Sequence, residues 1–170
     1  MLGVAARWTR RRTHRFTGFL IGAFIHLVYA CGLRLSEALN ITLKDLDFHE
    51  NTISLWKTKF HKERLIPLSH DSAERLRYFL LRRSHRFPTQ CGPDDFLFCH
   101  KNGKFSSCGM FYLFRGLLRE TGLAKSHGPR IHDLRHSFAV HRLYKWYPGW
   151  RRSLEQAPPP LYLHGPRRYR

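Results

Sequence analysis

A chain of 170 residues holds one domain with a real core and is short of two. Its 30 Lys and Arg stand against 12 Asp and Glu, and a formal charge of +18 repels itself unless a polyanion neutralises it; nucleic acid is therefore the first candidate partner, ahead of a membrane or a small molecule. Cys31, Cys91, Cys99 and Cys108 form no C-x-x-C pair and match no common zinc spacing, so reduced thiols and no bound metal are expected.

Residues 1–15 carry five arginines and little apolar periodicity, which predicts a basic, disordered leader. From Phe16 the apolar positions Leu20, Phe24, Leu27 and Val28 recur at helical spacing, and Gly32 is placed to end that helix. Arg10-Arg11-Arg12 ahead of this run has the layout of a secretory signal. That reading fails because the run contains His26 and flows straight into the following motif, whose core it must supply. Ser36 to Leu39 reads as a short second helix with Arg34 at the turn before it. Asp45–Phe48, Thr52–Trp56 and Arg64–Pro67 read as three strands of an antiparallel sheet, with Lys59 in the second connection.

Asp71 and Glu74 have capping-box spacing for a helix that turns Leu76, Phe79 and Leu80 inward and Arg75, Arg82 and Arg83 outward. Asn102-Gly103 between Phe96-Leu97-Phe98 and Phe105 signals a hairpin of the type I′ sort. A helix over Phe111–Leu118 follows, then a Gly128-Pro129 break. In the last periodic segment His132 and Arg135 share one helix face, while Leu134, Phe138, Ala139 and Leu143 make the inward stripe. From Pro148 the chain is rich in Pro and Arg and has no period. The fold class expected is α+β, mainly α-helical with a small three-stranded antiparallel sheet, divided as a leader (1–15), a domain (16–147) and a non-native tail (148–170).

Three separated motifs occur in a telling order: Gly32-Leu33-Arg34-Leu35-Ser36-Glu37, then Lys57 to Leu68 with Lys62-Glu63-Arg64 and Pro67-Leu68, then His132-Asp133-Leu134-Arg135. Together they resemble the tyrosine recombinase, or phage integrase, catalytic domain over most of the chain. The resemblance implies DNA breaking and rejoining through a 3′-phosphotyrosyl link, without metal or cofactor. It also implies assembly as a tetramer on paired DNA sites and a bacterial or mobile-element origin, cytoplasmic and nucleoid-associated.

Residue by residue, the resemblance makes Arg34 and Arg135 a clamp on the scissile phosphate, because planar guanidinium forks suit a phosphorane whose oxygens gain charge. Arg34 as a plain salt-bridge partner of Glu37 is the competing reading. Lys59 would protonate the leaving 5′-oxygen, although Thr58 and Phe60 stand where the family usually has glycines. His132 would exchange a proton with the tyrosine oxygen, and Glu37 would orient His132 or Arg34. Lys57, Lys62 and Arg64 would touch DNA.

No nucleophile is identified. The family continues past His-x-x-Arg with a Gly-His pair and, about nine residues later, the attacking tyrosine, and nothing here matches. Read one base later from the Ala157 codon, the tail can spell L-P-L-L-S-T-Y-M-G-H-V-D-I-A, which resembles the missing segment. A one-base insertion near Tyr147 is the expected cause, with Tyr144, Tyr147, Tyr162 and Tyr169 not nucleophiles. A non-catalytic DNA-binding remnant and a basic RNA-binding protein are the alternatives.

Overall fold

The computed structural model describes residues 15–56, 64–124 and 128–146, with the side chain of Arg15 left aside. The expectations for residues 1–14, for Lys57, Lys59 and Lys62, and for the tail from Tyr147 fall outside the described residues.

Helix α1 (Arg15–Cys31) supplies the middle of the core through Leu20, Ile21, Phe24, Ile25, Leu27 and Val28. These positions cover more than one face, so α1 is enclosed by its neighbours rather than laid on a surface. Gly32 ends it at φ 62, a left-handed conformation that suits a residue without Cβ. Helix α2 (Leu35–Asn40) follows, then a 3₁₀ turn (Leu43–Asp45). Strands β1 (Leu46–Asp47), β2 (Thr52–Leu55) and β3 (Arg64–Pro67) form one antiparallel sheet in sequence order. In β2 the alternation of Ile53 and Leu55 inward with Thr52 and Ser54 less buried is the period-2 pattern of a half-covered strand.

Helix α3 (His70–Arg86) packs on α1, with Phe79 and Phe24 each meeting Phe98 at 5.6 and 5.4 Å between ring centroids. The short hairpin β4 (Cys99–His100) and β5 (Gly103–Lys104) leads into α4 (Ser107–Glu120), whose Met110, Phe114, Leu117 and Leu118 close the core. Helix α5 (Ile131–Trp146) comes last. The architecture is mainly α-helical with a small three-stranded antiparallel sheet. No disulfide joins the four cysteines, no described helix is long and apolar enough to cross a membrane, and no metal-binding group of three side chains occurs among the described residues.

Several local expectations are corrected. Arg83 is not on the outer face of α3: it is 1% exposed, and its guanidinium donates to the carbonyls of Leu97, Gln90 and Phe96 at 3.1, 2.5 and 2.7 Å. These carbonyls belong to a loop with no ladder to satisfy them, and a buried fork of five N–H donors does so instead. The cap of α3 is Ser69, whose Oγ accepts from the Ser72 N–H, while Asp71 pairs with Arg75. In the β4–β5 hairpin Lys101-Asn102 are the central pair, neither with positive φ, and Gly103 follows at φ 103. Type I′ needs positive φ at both central residues and is therefore excluded; the positive-φ glycine follows the central pair instead.

The chain divides into two units, Met1–Phe138 and Ala139–Arg170. In the second, residues 139–146 are the last turns of α5, with Ala139 exposed, Leu143 44% and Trp146 68% exposed. The inward stripe expected of α5 thus stops at Phe138.

Candidate active site

Three elements of the first unit, α2, β3 and α5, meet at one carboxylate. Glu37 sits in the first turn of α2, where its Oε2 accepts the Arg34 backbone N–H at 2.8 Å, the geometry by which an N3 glutamate caps a helix start. The same side chain is only 9% exposed and is ringed by arginines. Arg34 Nη1 donates to Oε1 at 2.7 Å, Arg64 Nη2 from the start of β3 donates to Oε2 at 2.9 Å, and Arg135 Nη1 from α5 lies 3.7 Å from Oε2. Burial pushes the Glu37 carboxyl up, but the Arg34 hydrogen bonds and the charges of Arg64 and Arg34 outweigh it and hold the group below its ordinary value. The Arg34–Glu37 salt bridge of the plainer reading therefore exists, as part of a larger cluster.

Arg135 is fixed from another side. Its Nη1 donates to the Gly32 carbonyl at 2.6 Å, across 103 residues of sequence. A Cβ added to Gly32 would stand 2.4 Å from Cδ1 of Phe138, so the glycine is required both for its backbone angle and for the ring that α5 lays over it. Burial and then the Arg34 charge disfavour the charged form of Arg135, with Glu37 opposing them and Arg64 adding to them. The guanidinium stays protonated, so the direction of the shift describes a cation first desolvated and then crowded by Arg34 and Arg64, both of which an anion would relieve.

The start of α5 is set by Asp133, whose Oδ2 accepts the Arg130 backbone N–H at 2.7 Å, the first cause of its lowered carboxyl pKa. Leu134 and Ile131 are buried beneath it, which orients the helix so that Arg135 faces Gly32. His132, one turn earlier, is exposed and meets the His136 ring edge-on at 4.5 Å between centroids. Of the expected site residues, Arg34, Glu37, Arg64 and Arg135 come together, and His132 stands at the exposed start of the same helix. The Gly32 carbonyl was not singled out from sequence, although a glycine two residues before Arg34 and a phenylalanine three after Arg135 were the available signals.

The described residues, five helices and a small sheet with three arginines brought to one half-buried glutamate, have the fold of a tyrosine recombinase catalytic domain. The Tn1549 transposon integrase, solved in complex with a circular intermediate DNA, superposes with a TM-score of 0.64 at 19% identity, over 85% of this chain and 51% of that one. The model of the phage integrase family matches residues 17–146, and the chain belongs to that family. Among relatives, the integrase/recombinase y4rB of Sinorhizobium fredii is 35% identical over 86% of this chain and 46% of its own length. The tyrosine recombinase XerC of Chlamydia caviae is 32% identical over 76% of this chain and 40% of its own. The chain thus spans less than half the length of these curated relatives.

Proposed function

We propose that this chain is the phosphate-gripping part of a site-specific tyrosine recombinase, that it binds duplex DNA, and that by itself it does not form the covalent link. The observation that carries the reading is the meeting of Arg34 and Arg135 at the Glu37 carboxylate, two guanidinium groups within reach of one phosphate. Arg34 and Arg135 take the non-bridging oxygens of the scissile phosphodiester and stabilise the charge that grows on them during attack. Glu37 keeps the Arg34 fork in plane. His132 exchanges the tyrosine proton, Lys59 protonates the departing 5′-oxygen, and Lys57 and Lys62 hold flanking phosphates. No cofactor enters this chemistry, and tetramer assembly on paired sites, with nucleoid association in a bacterial or mobile-element setting, belongs to the same proposal.

A nicked suicide duplex, in which cleavage releases a short strand and traps the protein on DNA, tests this. The 170-residue chain should give no covalent adduct. A gene with one base deleted near the Tyr147 codon should encode a chain that does, and Arg135→Ala should abolish the adduct. An adduct from the unrepaired chain would overturn the proposal.

A further inference from the structure

The motif containing Arg64 assigns it to DNA, yet its guanidinium turns to Glu37: Nη2 donates to Oε2 at 2.9 Å, and the side chain is 38% exposed. Its Nε is buried and has no hydrogen-bond partner among the described residues. An orphaned N–H carries an uncompensated desolvation cost, which the ion pair with Glu37 must offset for this orientation to persist. The charges also have a definite sum. Three guanidinium groups and one carboxylate leave two positive charges around the site. A phosphodiester brings one negative charge, and the phosphorane reached on attack brings two. When Arg34 and Arg135 turn to such a ligand, the half-buried Glu37 needs a cation that remains.

We propose that Arg64 is a positioning residue, the resident counter-ion of Glu37, which holds that carboxylate beneath Arg34 while Arg34 and Arg135 engage a DNA phosphodiester, and that Arg64 itself touches no DNA. The proposal rests on the reading of Arg34 and Arg135 as the phosphate clamp. Arg64 is suited to the role by its place in the fold. It opens β3 opposite Leu55 of β2, so the strand pair that anchors Glu37 also brackets residues 57–63, which carry the three lysines. A lysine could supply the charge but not the planar fork.

The experiment uses the whole 170-residue chain and a fluorescein-labelled duplex, with dissociation constants measured over a salt series for Arg64→Gln, Arg34→Gln, Arg135→Gln and the Arg34→Gln/Arg64→Gln pair. In parallel, the ¹³C carboxyl resonance of Glu37 is titrated with acid. Arg64→Gln should move the Glu37 midpoint upward and weaken binding about fivefold to tenfold in the native background. In the Arg34→Gln background the loss should shrink to less than about twofold, since residues acting through one partner are not additive. The salt slope should stay as in the native chain, whereas loss of a direct phosphate contact lowers it by about one.

An unmoved Glu37 midpoint, additive losses, or a slope reduced by one would each overturn the inference, the last two by putting Arg64 on DNA. Should Arg64→Gln fail to fold by circular dichroism, Arg64→Lys carries the same test, with a smaller upward shift of Glu37 and the same non-additivity. Unchanged binding in both Arg34→Gln and Arg135→Gln would instead remove the clamp itself, and the inference with it, whatever Glu37 does.

Discussion

Glu37 illustrates how one side chain serves a helix cap and an ion cluster at once. Its folded pKa lies below the ordinary carboxylate value, so its contribution to stability is fully present above that ordinary value and is lost as pH falls through the folded one. His26 acts in a higher window. It is bonded to Ser72 Oγ at 3.0 Å, and burial first, then the Arg75 charge, with Asp71 opposing, lower its pKa. An imidazole kept neutral by the fold costs stability as pH drops below its ordinary value of 6.5 and the unfolded chain takes up the proton. Thermal melts from roughly pH 8 to 3 should therefore show a first decline starting near the histidine range and a second in the carboxylate range. His26→Gln should remove the first, and Glu37→Gln should lessen the second, to which Asp47, Asp71 and Asp133 also contribute through their lowered carboxyl pKa. Glu37→Gln should also cost about 2–3 kcal/mol at neutral pH by leaving three arginines unbalanced. The figure is kept below that of a fully buried pair because each guanidinium is partly exposed. A histidine-range decline unchanged by His26→Gln, or a carboxylate-range decline unchanged by Glu37→Gln, would contradict the assignment.

At the scale of elements, the docking of α5 depends on Gly32. Gly32→Ala introduces a Cβ at φ 62, worth about 1–2 kcal/mol of strain, and drives it into the Phe138 ring. The expected loss is about 2–4 kcal/mol in denaturant unfolding, together with weaker DNA binding, because Arg135 donates to the carbonyl of the same residue. Phe138→Ala should relieve part of the loss in the double variant, and simple additivity would show that the ring is not the obstacle. Arg83→Met is a sharper test of the α3 correction. If the buried guanidinium satisfies the three carbonyls, its removal should cost about 3–5 kcal/mol, at about 1–3 for each unsatisfied group with partial relaxation. A surface arginine would cost within about 0.5. Why sequence reasoning misplaced Arg83 is clear in these terms. Helical periodicity separates apolar from charged positions, but cannot register that a distant loop offers carbonyls to one of them. The hairpin after Phe98 was misread for a related reason. Asn-Gly favours type I′ when it occupies the two central positions, and pairing of His100 with Gly103 shifts the turn by one residue.

For the whole molecule, the charge of +18 predicts DNA binding that is largely independent of sequence and steeply dependent on salt. With about six phosphates neutralised, affinity should fall by about 10³ between roughly 50 and 200 mM monovalent salt. A flat response in a filter-binding or anisotropy series would mean that positive charge is not the grip. The course of α1, the alternation in β2 and the order of the three motifs were legible in the chain itself, because periodicity and turn residues act over a few neighbours. What only the tertiary structure decided was the company the arginines keep. Arg64 faces Glu37, Arg135 is tied to the Gly32 carbonyl, and Arg83 is buried among loop carbonyls. Each of these partners lies many residues away in sequence, and a hydrogen bond between distant groups is settled by which backbone and side-chain atoms the packed core brings within about 3 Å, a quantity no local pattern encodes.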